Sequence, residues 1–155
     1  MYTTLLTAGL GQVNETKVLL ELWEPGMAAG DLKVLALKSG RFPDMTARRL
    51  ENIVTDCFAP RYLKGAPPAA CYLKRLACTL PTTELLPLLL LYTSRANEVM
   101  RDFITLVYWE RYAAGQMDIG SDDARVFLDR AIADGKTATT WSDKTVRLVS
   151  SGLVG

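Results

Sequence analysis

Apolar residues in this chain recur at spacings of three and four, in segments that proline and glycine repeatedly cut short. The clearest stripe is Leu50, Ile53, Val54, Cys57 and Phe58, which puts five apolar side chains on one side of a helix. Arg48, Arg49, Asn52 and Thr55 then face the other way. A sheet would need period-two alternation, and no Asn-Gly or Asp-Gly turn joins two alternating runs. The constraint is therefore to an all-α fold, a helical bundle.

The same reading marks the helices in turn. Leu10 to Trp23 forms the first, stopped by Pro25-Gly26. Asp31 to Ser39 forms the second, with Leu32, Leu35 and Ala36 inward and Gly40 as its stop. Thr46 caps the third, which Pro60 is expected to end. Pro67-Pro68 opens a helix through Leu80, and Thr82 or Thr83 caps one that runs to about Ser94 around Pro87. Asn97 caps Glu98–Ala113, whose apolar residues lie nearly all round, as expected of a buried central helix. Ser121 is expected to cap the next helix, with Ala124, Phe127, Leu128 and Ala131 inward and Gly135 just past its end. Ser142 caps the last, with Val146, Val149 and Leu153 inward and Lys144, Thr145 and Arg147 outward. That helix stays apolar to its end, so its inner face is expected to lack a partner, and the segment from Ser142 on to be less ordered than 97–134. The Gly65-Ala66-Pro67-Pro68 joint suggests two subdomains, 1–65 and 66–155.

Of the 155 residues 49% are apolar, enough to bury a core. The longest apolar run, Leu85 to Tyr92, contains Pro87 and falls far short of the ~20 residues a membrane span needs. No basic, apolar leader opens the chain, and Cys57, Cys71 and Cys78 offer neither a disulfide framework nor a Cys-x-x-Cys pair. A cytoplasmic setting without cofactor or membrane is the expectation.

No histidine is present, so Ser-His-Asp and Cys-His catalysis and most zinc hydrolase sites have no basis. Gly135-Lys136-Thr137 copies the tail of a phosphate-binding loop, yet Arg130 stands where that motif needs glycine. Gly9-Leu10-Gly11 is too short for a dinucleotide fingerprint. Glu15-Thr16-Lys17 and Asp31-Leu32-Lys33 have nuclease-like carboxylate-x-lysine spacing, but they fall in helices instead of on paired strands. Asp122-Asp123 reads as the acidic start of a helix. The chain is expected not to be an enzyme.

Charge is uneven although its sum is only +1. Residues 33–75 hold nine bases (Lys33, Lys38, Arg41, Arg48, Arg49, Arg61, Lys64, Lys74, Arg75) against three acids, net +6. Two helix-turn-helix-like units could meet nucleic acid. The first pairs Asp31–Ser39 with the helix after Thr46 and offers Arg41, Thr46, Arg48, Arg49 and Asn52, backed by Arg61, Lys64, Lys74 and Arg75. The second pairs Ser121–Asp134 with Ser142–Leu153 and offers Lys136, Lys144 and Arg147. Against this stands the reading that both are merely solvated faces of a helical core, since helical hairpins are common.

Several runs resemble one family. They are Glu15-Thr-Lys-Val-Leu-Leu-Glu-Leu-Trp23, Gly40-Arg-Phe-Pro43 with Thr46-Ala-Arg-Arg-Leu50, and Cys57-Phe-Ala-Pro-Arg-Tyr62. Tyr92-x-x-Arg-Ala-Asn97, Val107-Tyr-Trp-x-Arg-Tyr-Ala-Ala-Gly115, Asp134-Gly-Lys-Thr137 and Trp141-Ser-x-x-Thr-Val-Arg147 continue the series. Together they are similar to BrxA, a component of the BREX bacteriophage-defence systems, from about Leu5 to Leu153. The resemblance implies a NusB-like all-α architecture with helix-turn-helix parts, no catalysis, and binding of double-stranded DNA. It equally admits a protein–protein adaptor to other BREX subunits, using Tyr108, Trp109, Tyr112 and Trp141. A homodimer is compatible with either.

Overall fold

The computed structural model describes residues 1–8 and 12–154. Leu10 and Gly11 of the expected first helix, and the Gly9-Leu10-Gly11 run, lie outside the described residues. Among the described residues every regular element is helical, and one isolated parallel bridge pairs Tyr2 with Thr137. The chain divides into two compact units, Gly11–Ala96 and Met1–Leu10 with Asn97–Gly155. The division falls at residues 96/97, whereas the proline-rich joint at 65–68 lies inside the first unit.

Unit 11–96 contains α1 (Val13–Leu22), α2 (Ala29–Lys38), α3 (Ala47–Asn52), α4 (Ala69–Thr79) and α5 (Thr82–Ala96). In α1, Thr16, Leu19 and Leu20 share the inner face and Trp23 follows one turn on, its indole N–H donating to the Met27 carbonyl at 3.0 Å. Gly26 relieves the chain at φ +89°, a conformation that suits glycine alone. In α2 only Leu32 and Ala36 are buried; Leu35 is 38% exposed, so the expected inward trio is a pair. Thr46 caps α3 as expected, its Oγ1 accepting the Arg49 N–H at 3.3 Å.

The third helix does not stop at Pro60. It continues as a π-helical segment, Ile53–Leu63, with Pro60 inside it. The apolar stripe runs on through Tyr62, which is 2% exposed and lies 5.2 Å from the Phe58 ring. Burial of that stripe outweighs the single backbone donor that proline removes. Pro87 is likewise carried inside α5, whose inner face is Leu85, Leu89 and Thr93.

Unit 1–10 with 97–155 is built on one long helix in three windings: α6 (Glu98–Phe103), a π-helical turn Ile104–Tyr108, and α7 (Trp109–Ala113). Asn97 caps it, with Oδ1 accepting the Met100 N–H at 3.2 Å. The expectation of a buried central helix fails in its second half. Val99, Met100 and Phe103 are buried, but no residue from Ile104 to Ala113 is, and Trp109 is 62% exposed. An all-round apolar surface reports that burial would be favourable, not that a neighbour exists to provide it.

In α8 (Ser121–Ala133), Ser121 is the first helical residue and not the cap; the Asp123 carboxylate instead accepts the Gly120 N–H at 3.0 Å. Beyond its end, Gly135 at φ +68° lets its own N–H reach the Ile132 carbonyl and the Lys136 N–H the Ala131 carbonyl. Gly135-Lys136-Thr137 is therefore a helix C-terminus, the opposite pole from a phosphate-binding turn. Ser142 caps α9 (Asp143–Val154), with Oγ accepting the Thr145 N–H at 3.3 Å. The inner face of α9 is covered, contrary to expectation: Val146, Val149 and Leu153 join Ala124, Leu128 and Ala131 of α8 in one core. Tyr2 and Leu6 close that core, the Tyr2 hydroxyl donating to Asp102 at 2.8 Å and its N–H to the Lys136 carbonyl at 2.7 Å.

Candidate nucleic-acid interface

The α2–turn–α3 unit is set by its two glycine- and threonine-marked boundaries. Gly40, at φ +67°, ends α2, and the chain from Arg41 to Met45 leads to the Thr46 cap. Since Leu50, Ile53 and Val54 are buried, Arg48, Arg49 and Asn52 must point outward, and all three are exposed. Among the described residues neither Arg48 nor Arg49 enters an ion pair; Glu51, one turn on, bonds Lys33 instead at 2.8 Å. That hydrogen bond and charge hold the Glu51 carboxyl below its ordinary pKa, with Arg48 a smaller contributor.

The rest of the basic window is less available. Arg41 bonds Glu21 at 2.8 Å. Lys74 donates to the carbonyls of Glu21 and Trp23 at 2.8 and 2.7 Å and to Glu24 at 2.9 Å, so it caps the C-terminus of α1. Arg61 is half-buried in the π-helical segment, while Lys64 and Arg75 are exposed. At about 1.5 Å of rise per residue, Arg48 and Arg61 stand roughly 20 Å apart along one helix, so they cannot share one phosphate. Arg41, Asp44 and Arg49 line a cleft of about 370 Å³ together with Asn14, Glu15 and Phe42. Its acids and bases balance, which gives it no anion preference. The exposed Lys38 on the last turn of α2 also lacks an ion partner among the described residues, a cation that a search centred on the third helix passes over.

The candidates of the second helix pair lie in the other unit. Lys136 holds its ammonium over the Tyr2 ring, 5.8 Å from the centroid, and Arg147 bonds Asp143 at 2.6 Å. Lys144 is exposed and makes no ion pair among the described residues. Elsewhere Thr16 and Leu32, the middle residues of the carboxylate-x-lysine runs, are buried in α1 and α2, and Lys17 reaches the Leu80 carbonyl at 3.4 Å. Among the described residues no group of three or more His, Cys, Asp or Glu side chains converges as metal ligands, and no helix is long and apolar enough to cross a membrane.

A family model for BrxA matches residues 1–154. The chain belongs to the BrxA family. It is thus a component of a BREX phage-defence system. Comparison with curated proteins and with solved structures returns no match. In this BrxA-family chain Tyr108, Trp109 and Tyr112 are exposed on one helix, while Trp141 packs half-buried against the α8–α9 core. The four aromatics grouped together from sequence therefore part into three at the surface and one in the core.

Proposed function

We propose that this BrxA-family chain is a non-enzymatic, cytoplasmic component that binds double-stranded DNA through the outer face of α3. The observation that carries this is the pair Arg48 and Arg49, exposed beside Asn52 and, among the described residues, free of ion pairs. Two arginines held outward by a buried stripe can each fork onto phosphate oxygens, and Asn52 stands one turn on, where a side chain can reach a base edge. Lys38, Lys64 and Arg75 add charge to the same unit, and Lys144 forms a second, weaker candidate contact.

The test is a titration of duplex DNA at several salt concentrations with wild type and the double variant Arg48→Glu, Arg49→Glu. The variant should keep its helicity and melting temperature. Its affinity should fall by on the order of tenfold or more, and the log–log salt slope should fall by about one unit per lost contact. Wild-type affinity and slope in the variant would move the contact elsewhere, to the Lys136–Arg147 segment first. Metal-dependent DNA cutting that disappears on Lys17→Ala or Lys33→Ala would overturn the non-enzymatic part. A second reading, an adaptor between BREX subunits, is favoured by the exposed Tyr108, Trp109 and Tyr112.

A further inference from the structure

The six residues of α3, Ala47–Asn52, include two arginines and one acid, Glu51. Glu51 stands three residues after Arg48, the spacing at which side chains on a helix surface meet. The spacing alone favours an ion pair between them, yet that pair does not form. Lys33 on α2 donates to Glu51 Oε1 at 2.8 Å instead. Arg48 is near enough for its charge to help hold the Glu51 carboxyl below its ordinary pKa, but it contributes less than the hydrogen bond and charge of Lys33.

Packing brings Lys33 to this place. Leu32 and Ala36 fix the inner face of α2, Leu50 fixes that of α3, and the bridge closes over the surface between the two helices. Other acids of unit 11–96 are held in the same way, Glu21 by Arg41 and Glu24 by Lys74. A bridge as exposed as Lys33–Glu51 adds little to stability. Its effect on a neighbouring arginine is larger. Carboxylate and phosphate compete for the same guanidinium fork, so an arginine paired within the protein must give up that partner before it can bond a phosphate.

We propose that Lys33 is a positioning residue for DNA binding: it draws Glu51 away from Arg48 and so leaves that guanidinium free for a phosphate. This rests on the DNA reading above. It adds that the outer face of α3 is kept open by a residue of α2 that does not itself touch the duplex.

The experiment titrates duplex DNA at several salt concentrations with the full chain and its variants. Lys33→Ala should weaken binding by about three- to tenfold and lower the log–log salt slope by about one unit. Lys33→Arg, which keeps a cation opposite Glu51, should bind like wild type. Glu51→Gln should bind at least as tightly as wild type. On the Glu51→Gln or the Arg48→Ala background, adding Lys33→Ala should change affinity by less than about twofold, because the three side chains act through one another. A readout without DNA accompanies these: in ¹⁵N spectra the Arg48 Nε–H signal should move in Lys33→Ala while that of Arg49 stays in place.

A Lys33→Ala loss that persists on either background would make Lys33 a phosphate contact in its own right and overturn the proposal. Weaker binding by Glu51→Gln, or lowered helicity and melting temperature in Lys33→Ala, would make the bridge structural and overturn it too. If Arg48→Ala binds weakly while Lys33→Ala binds like wild type, or the Arg48 signal does not move, the positioning role fails and the DNA reading stands. Wild-type affinity in the Arg48→Glu, Arg49→Glu variant would remove the DNA reading and this inference with it.

Discussion

Lys74 and Arg48 belong to the same basic window, yet the fold gives their charges opposite freedom. Lys74 is held by two carbonyls and a carboxylate at the end of α1, whereas Arg48 extends from α3 without an ion partner among the described residues. Losing Lys74 leaves two terminal carbonyls without their donor. Lys74→Ala should therefore lower stability by about 1–3 kcal/mol, while Arg48→Ala should change it by less than about 0.5 kcal/mol; urea melts of the two variants check this. The cysteines divide in the same way. Burial pushes the Cys57 thiol above its ordinary pKa, and Cys78 is exposed. At neutral pH a thiol-specific reagent should label Cys78 within minutes and Cys57 only after unfolding, since the thiolate is the reacting form. The engagement of Lys74 was not legible from residue type, because a lysine's partner 50 positions away in sequence is set by packing.

At the scale of elements, the glycine stops at Gly40 and Gly135 held and the proline stop at Pro60 did not. Thr46, Asn97 and Ser142 cap where local chemistry places them, since a cap is satisfied within three residues of chain. Pro60 failed as a stop because the residues beyond it, Tyr62 above all, still belong to a buried stripe. Along the helix Glu98–Ala113 the fully buried residues end at Phe103; beyond it Ile104 and Val107 are only partly buried against the core, and Tyr108, Trp109 and Tyr112 are exposed. Phe103→Ala should accordingly cost about 3–5 kcal/mol. Trp109→Ala, six residues on, should stay within about 0.5 kcal/mol despite the larger side chain. Thermal melts followed by circular dichroism would check both, and a large loss at Trp109 would mean that its face is already covered.

Among the described residues of the whole molecule there are two cores, one around Leu19, Trp23, Leu32, Phe58 and Leu73, the other around Tyr2, Leu6, Phe103, Leu128 and Val149. Because the second is closed by the first residues of the chain, deleting residues 1–6 should strip hydrogen-exchange protection from 97–154 and leave 13–96 close to wild type. Equal loss in both would show that the two cores unfold together. The sequence by itself determined the all-α class, nearly every helix and its inward face, and the outward placement of Arg48, Arg49 and Asn52. Those follow from periodicity and capping, which are interactions over three or four residues. Only the tertiary structure decided that Tyr2 and Leu6 join residues 97–155, that α9 has its inner face filled, that Lys74 and Arg41 are engaged, and that Tyr108, Trp109 and Tyr112 are left in solvent. Each of these depends on which surfaces meet across long stretches of chain, and an apolar side chain carries no record of whether a neighbour arrives to cover it.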